Sequence, residues 1–307
     1  MRTWLVTGGA GFIGSHLCAA LLDRGDAVRV LDDLSTGKRQ NLPPSATLIE
    51  GDVADRSTVR SAMDGVSGCF HLAAIASVER GITDWLGTHR ANLTGAITVF
   101  DAARATRVPV VYASSAAVYG DTASVPITEA TERRPLSAYG ADKLGCELHA
   151  RVASHVHAIP TVGLRFFNVY GPRQDPHSPY SGVISIFAER IRHGEPIQIF
   201  GDGGQTRDFV YVADVAAALL AAMQLKPADA PVFNVCTGVA TSVVDLARII
   251  AELAGKRLDA RHASPRAGEI RHSTGSPVLS RQALGLAPPT RLHDGLRTVL
   301  DWLGATG

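Results

Sequence analysis

The chain has 307 residues, 46% hydrophobic and 19% charged, and its 30 Lys/Arg against 29 Asp/Glu leave a net charge of +1. Such a composition belongs to a globular protein with a sizeable core and gives none of the basic footprint that binding nucleic acid or an anionic membrane surface would require. Four scattered cysteines, Cys18, Cys69, Cys146 and Cys236, suggest neither a disulfide framework nor a zinc site and suit a reducing, cytoplasmic compartment.

The opening MRTWLVTGG reads as a β-strand, because its apolar run is too short for a secretory leader. VTGGAGFIGSHL then sets Gly8, Gly11 and Gly14 in the form Gly-x-x-Gly-x-x-Gly. In a dinucleotide-binding turn the three serve a tight turn, a close approach of backbone to phosphate, and helix–strand packing. Ile13, Leu17, Ala20 and Leu21 recur at helical spacing up to Gly25, so the helix that starts near Phe12 aims its free N–H groups at a pyrophosphate. A bare glycine trio also serves packing; a strand before it and an amphipathic helix after it favour the dinucleotide.

AVRVLD is the second strand and ends at Asp32. An acid there accepts hydrogen bonds from the adenosine ribose and repels a 2′-phosphate, so NAD is expected rather than NADP. TLIEGD, GCFHLA and VPVVYASS are further strands, and Asp52 after the third either meets the adenine edge or forms a turn. Strands separated by helix-length segments predict an α/β fold, a doubly wound parallel, Rossmann-like sheet over 1–167. Residues 168–182 are rich in Pro, Gly and polar residues and open a smaller C-terminal substrate lobe, 168–307, with segments near 208–240 returning to the first domain. Within the lobe, VISIFAERIRHG, 242–254 and 293–303 read as helices. VADVAAALLAAM carries Asp214 and is too short to span a membrane.

SAYGADK places Tyr139 four residues before Lys143. A free tyrosine, pKa about 10, is ionised in roughly one molecule per thousand at pH 7, and lowering that pKa by three units takes about 4 kcal/mol. Lys143, on the same helical face, supplies positive charge for it. Ser115 in YASSAAVYG lies just past a strand, at the carboxyl edge where doubly wound sheets bind ligands. Its hydroxyl can bond the substrate oxygen that Tyr139 deprotonates. The pair alone is an ordinary helical spacing; with the glycine turn and Ser115 it reads as catalytic.

From TGGAGFIGSHL through DDLSTGKRQNL, GDV, HLAA, SSAAVYG, YGADK, RFFNVYGPRQ and GDGGQTRDFVYVADV to RAGEIRHS, the chain resembles the extended short-chain dehydrogenase/reductases of the nucleotide-sugar epimerase/dehydratase family. The resemblance implies a retained NAD and 4-epimerisation of a UDP-hexose through a 4-keto sugar, with Tyr139 removing the 4-hydroxyl proton. It implies further cofactor contacts from Phe12, Ile13, Asp33, Ser35 and Gly37, from Val53, Leu72, Ala73 and Ala74, and from Asn92 and Phe166. Asn92 otherwise reads as a helix-surface amide. For the nucleotide-sugar it implies Ser77, Asn168, Arg207, Arg266 and Glu269, the last standing where the family often has aspartate. Ser273 falls beside the sugar 2-substituent, where a small side chain leaves room for an N-acetyl group. Helices near 84–106 and 137–157 match those that pair in the family's homodimers.

Family 4,6-dehydratases carry an Asp-Glu pair before VYG and decarboxylases a Glu; here Ala116 and Ala117 stand there, which places both reactions below epimerisation. A plain dehydrogenase and a non-catalytic NAD-sensing protein on the same fold remain as alternatives.

Overall fold

The computed structural model describes residues 1–176, 182–225, 227, 229–265 and 270–306. In its first half, strands β1 (Thr3–Thr7), β2 (Ala27–Asp32), β3 (Thr47–Glu50), β4 (Gly68–His71), β5 (Val110–Ser115) and β6 (Thr161–Phe166) alternate with helices. These are α1 (Phe12–Asp23), α2 (Arg56–Met63), α3 (Val78–Thr83), α4 (Trp85–His89), α5 (Gly95–Ala103) and α6 (Ala138–His157). The second half adds β7 (Asn168–Tyr170), α7 (Val183–Arg192), β8 (Ile197–Phe200), β9 (Thr206–Arg207), β10 (Phe209–Tyr211), α8 (Val212–Ala222) and β11 (Val232–Val235). It continues with β12 (Thr241–Ser242), α9 (Val243–Leu253), β13 (Ala260–Ala263), β14 (His272–Ser273), α10 (Val278–Leu284) and α11 (Leu292–Thr306).

Seven strands form one parallel sheet in the order β11-β6-β5-β4-β1-β2-β3. The chain starts in the middle, winds outward through β2 and β3, then crosses back to β4, so the order reverses between β1 and β4. That reversal opens a crevice at the carboxyl ends of these two strands. Alternate side chains of β1 explain why both faces need covering. Trp4 and Val6 join Leu17, Leu21, Val215 and Leu219 beneath α1 and α8, whereas Leu5 joins Val59, Val99, Tyr112 and Ala150 beneath α2, α5 and α6. A third core, with Phe187, Ile191, Leu246, Ile250, Leu296 and Val299, holds α7, α9 and α11 together.

The stretch expected to be one helix over 84–106 is α4, a π-helical turn at Arg90–Thr94, and α5. Among the described residues no helix is long and apolar enough to cross a membrane, and the four cysteines are buried and free.

Candidate active site

The glycine-rich turn lies in the crevice. Gly8 has φ +70°, and a Cβ there would lie 2.6 Å from the Ala73 nitrogen, so β1 and β4 diverge around a residue that must lack a side chain. A Cβ on Gly14 would run into the Gly8 carbonyl oxygen. At Gly11 the backbone is extended (φ −75°, ψ 179°) and the nearest atom to an added Cβ is Gly8 O at 3.2 Å, so this glycine keeps clear the approach to the N terminus of α1. That terminus has no side-chain cap and no acid in its first turn. The free N–H groups at Phe12, Ile13 and Gly14 thus face a cradle suited to a phosphate.

Asp32 is buried at the end of β2. Its Oδ2 accepts from the Ala10 N–H (2.9 Å) and Oδ1 from the Leu34 N–H (2.9 Å), which ties the glycine turn to the loop after β2. Burial raises its pKa against these two hydrogen bonds. Gly37 lets that loop close in, since a Cβ would sit 2.7 Å from Asp32 Oδ1. Asp33 is exposed and accepts from the Ser35 hydroxyl (2.6 Å). Asp52 accepts from Arg90 (2.5 Å) and the Ala54 N–H (2.7 Å), and Val53 is buried where Gly95 of α5 leaves room for it.

After β4, Leu72, Ala73 and Ala74 border the crevice. The Leu72 and Ala73 N–H groups donate to the carbonyl and hydroxyl oxygens of Thr7. The Thr7 hydroxyl also meets His71 Nδ1 (2.8 Å). Burial, aided by the charge of Lys143, lowers the His71 pKa to about 3. Asn92 corrects the helix-surface reading: it is 1% exposed. Its Oδ1 accepts from the Ile75 N–H (2.7 Å) and its Nδ2 donates to the Ile75 carbonyl (3.2 Å), so this amide fixes the loop that follows Ala74.

Tyr139 and Lys143 lie in the first turns of α6, whose start is fixed by Ser137 accepting from the Gly140 N–H (3.1 Å). Lys143 is 3% exposed; its Nζ donates to the Ala113 carbonyl (2.9 Å) and stands 5.9 Å from the Tyr139 ring centre. Ala113 is on β5, so one hydrogen bond couples the lysine to the strand that ends at Ser115. The Ser115 hydroxyl accepts from the Ala117 N–H (3.1 Å) and caps a short 3₁₀ turn, which leaves its proton available for donation. Phe166 pairs with Ser115 across β5 and β6.

In the second half of the chain, β9 lies between β12 and β14, with Ser273 paired to Arg207 in parallel register. Asn168 is exposed at the start of β7, next to β10. Ser77 is buried and caps α3 by accepting from the Arg80 N–H (3.0 Å). The expectations for Arg266 and Glu269 lie outside the described residues.

Two supports were not read from the sequence. Asp208, fully buried, accepts from the Thr237 N–H and hydroxyl and from the Gly238 and Gly275 N–H groups at 2.7–3.2 Å. It clasps the turn after β11 to the segment after Ser273, and burial raises its pKa. Glu147, one turn beyond Lys143, holds Arg165 through two hydrogen bonds (2.8 and 2.7 Å) and accepts from the Ser114 hydroxyl (2.5 Å).

Residues 4–236 match the NAD dependent epimerase/dehydratase family. The chain is 36% identical to the UDP-glucose 4-epimerase of Mycolicibacterium smegmatis over 311 residues, 98% of each. Its fold matches the Thermotoga maritima UDP-glucose 4-epimerase solved with UDP-glucose (TM-score 0.95, 35% identity, 99% of both chains). It also matches the UDP-N-acetylglucosamine 4-epimerase of Methanobrevibacter ruminantium M1 solved with UDP-N-acetylmuramic acid (TM-score 0.95, 33% identity, 100% of this chain and 99% of that one). With its glycine turn at the sheet reversal and Lys143 tied to the strand that ends at Ser115, the chain thus belongs to the NAD dependent epimerase/dehydratase family.

Proposed function

We propose that this protein is an NAD-dependent UDP-hexose 4-epimerase. The observation that carries the reading is the junction of β5 and α6: Lys143, 5.9 Å from the Tyr139 ring centre, donates to the Ala113 carbonyl two residues before Ser115, and Ala116 and Ala117 put no carboxyl group on that turn. With no second acid or base on that turn, elimination and decarboxylation lack the group they would need. The glycine cradle, with Asp32 behind it, fits a dinucleotide held by Phe12, Ile13 and Gly14 backbone N–H groups and by the loop of Asp33, Ser35 and Gly37. When bound, NAD supplies a hydride acceptor and donor. Tyr139, with the Lys143 Nζ 5.9 Å from its ring centre, takes the proton of the sugar 4-hydroxyl, and Ser115 donates a hydrogen bond to that oxygen. Return of the proton from Tyr139 after the ketone has presented its other face completes inversion.

Asn168, Arg207 and Ser273 form the sugar-nucleotide side in this reading, and Asp208 positions the last two. The small Ser273 extends the substrate range to UDP-GlcNAc and UDP-GalNAc. Residues 1–167, completed by segments near 208–240, hold the cofactor; the rest of 168–307 holds the UDP-sugar. A homodimer forms through α5 and α6, where Leu148, Val152 and Val156 recur every four residues as exposed apolar side chains on α6 and Ile97 is exposed on α5; a monomeric mass by light scattering would overturn that assignment. The buried free thiols suit a cytoplasmic setting.

The test is product analysis by NMR with UDP-glucose and with UDP-GlcNAc, for the wild type and Tyr139→Phe. Epimer formation by the wild type, lost by at least about a thousandfold in Tyr139→Phe while NAD stays bound, is the expected result. Net NADH production, or full activity in Tyr139→Phe, refutes it.

A further inference from the structure

Arg173 has no role in the chemistry above, and its setting is unusual. It follows Gly171-Pro172 in the segment after β7 and holds φ +67°, a left-handed conformation that non-glycine residues adopt at a cost. Its Nη1 is buried and, among the described residues, no hydrogen-bond partner reaches it. A buried guanidinium nitrogen with no acceptor is strongly disfavoured, and backbone strain collects at ligand clamps.

The segment is anchored on both sides of the glycine-rich turn. On one side, His16 of α1 hydrogen-bonds the Pro172 carbonyl (Nε2 to O, 2.9 Å), and a Cβ on Gly171 would lie 3.6 Å from the Phe12 ring. On the other, Asp175 pairs with Lys38 (2.5 Å), whose own N–H donates to the Ala10 carbonyl (3.0 Å). Arg173 sits between the two anchors. Its charge reaches along α1, working against protonation of His16 and favouring the Cys18 thiolate against the opposing burial of that thiol. The first turn of α1 has no acid, and each oxygen of Asp32 accepts a backbone N–H group.

We propose that Arg173 clamps the diphosphate of the bound dinucleotide, its guanidinium closing over the anion from the side opposite the α1 N–H groups, with the Lys38–Asp175 pair as the latch that holds the segment down. The proposal rests on the dinucleotide lying on the glycine-rich turn. A guanidinium fork matches phosphate oxygens in geometry and charge, and the same group explains both the unpartnered nitrogen and the tolerated strain. The clamp would slow release of a cofactor that each catalytic cycle regenerates and does not consume.

The experiment measures exchange of bound NAD for labelled NAD from the holoenzyme, for the wild type, Arg173→Gln, Arg173→Lys and Gly11→Ala. Thermal shifts on added ADP-ribose and adenosine accompany it. Arg173→Gln is expected to release NAD at least about tenfold faster, with Arg173→Lys between it and the wild type. The shift with ADP-ribose should shrink in Arg173→Gln while that with adenosine, which has no phosphate, stays. Wild-type exchange in Arg173→Gln alongside rapid loss in Gly11→Ala overturns the clamp and leaves the glycine turn as the cofactor site. NAD retained by both Arg173→Gln and Gly11→Ala overturns the placement of the dinucleotide itself. Equal weakening toward adenosine means that the segment has collapsed, which also overturns the clamp.

Discussion

Removing the charge of Glu147 should cost the protein both stability and rate, by separable routes. Arg165 is 1% and Glu147 6% exposed. Arg165 donates to both carboxylate oxygens, to the Tyr119 hydroxyl (2.7 Å) and to the Glu129 carbonyl (3.3 Å), and its guanidinium lies 4.9 Å from the Tyr119 ring centre. Glu147→Gln keeps the shape but leaves the guanidinium buried without its counter-charge, which costs about 3–5 kcal/mol out of a total of about 5–15. At roughly 2.1 cal/mol/K of unfolding entropy per residue, a chain of 307 residues shifts by about 1.5 °C per kcal/mol, so the melting temperature should fall by roughly 5–8 °C. Replacing both partners by methionine removes the stranded charge and should recover most of the loss. It cannot restore the hydrogen bond from Ser114, the residue before Ser115, so kcat should stay low in the double variant. The assay is thermal melting at a fixed saturating NAD concentration, because bound cofactor raises the melting point by mass action, together with initial rates. A wild-type melting point for Glu147→Gln, or a double variant as unstable as the single one, would refute the reasoning.

His71 makes stability depend on pH with a definite sign. Its folded pKa of about 3 lies below the unfolded 6.5, so between these values only the unfolded chain binds the proton. Its contribution is complete above pH 6.5 and is lost as pH falls toward 3, by about 1.4 kcal/mol per unit. His71→Gln should flatten the slope of unfolding free energy between pH 6 and 4 by about one proton, and identical slopes would count against it. Asp32 and Asp208, raised by burial, give the opposite slope near pH 4 in both proteins, so the comparison isolates His71. Ser273→Tyr, beside Arg207 in the three-stranded sheet, should suppress turnover of UDP-GlcNAc at least about tenfold relative to UDP-glucose; equal loss on both substrates would remove Ser273 as the specificity element.

The parts legible in the sequence are those whose cause is local. Gly8 and Gly14 announce a turn because a side chain there would strike neighbouring backbone, and short apolar, β-branched runs mark β1 to β5 while a helical period marks α1. The spacing of Tyr139 and Lys143 is a helical repeat, and both lie on α6. What escaped were interactions between residues distant in the chain. Asp208 looks like a strand-end acid until Thr237 and Gly275 arrive, Arg165 looks like a solvated cation until Glu147 and Tyr119 enclose it, and Asn92 looks exposed until the Ile75 backbone takes both ends of its amide. Burial of a polar group is decided by packing, and no short window of sequence encodes it. The π turn at Arg90–Thr94 escaped for a different reason: its composition is that of an ordinary helix.

The seventh strand has a consequence for how the chain is made. All six residues of β6 are buried, and its outer edge is covered by β11, yet 65 residues separate Phe166 from Val232. At about 5–20 residues per second on the ribosome, β6 waits roughly 3–13 s for that neighbour. During the delay the nascent chain carries an apolar strand with unpaired N–H and C=O groups, a template on which another chain could add. A protein synthesised in this order depends on something else shielding that edge until residues 167–231 have emerged and β11 has paired with it.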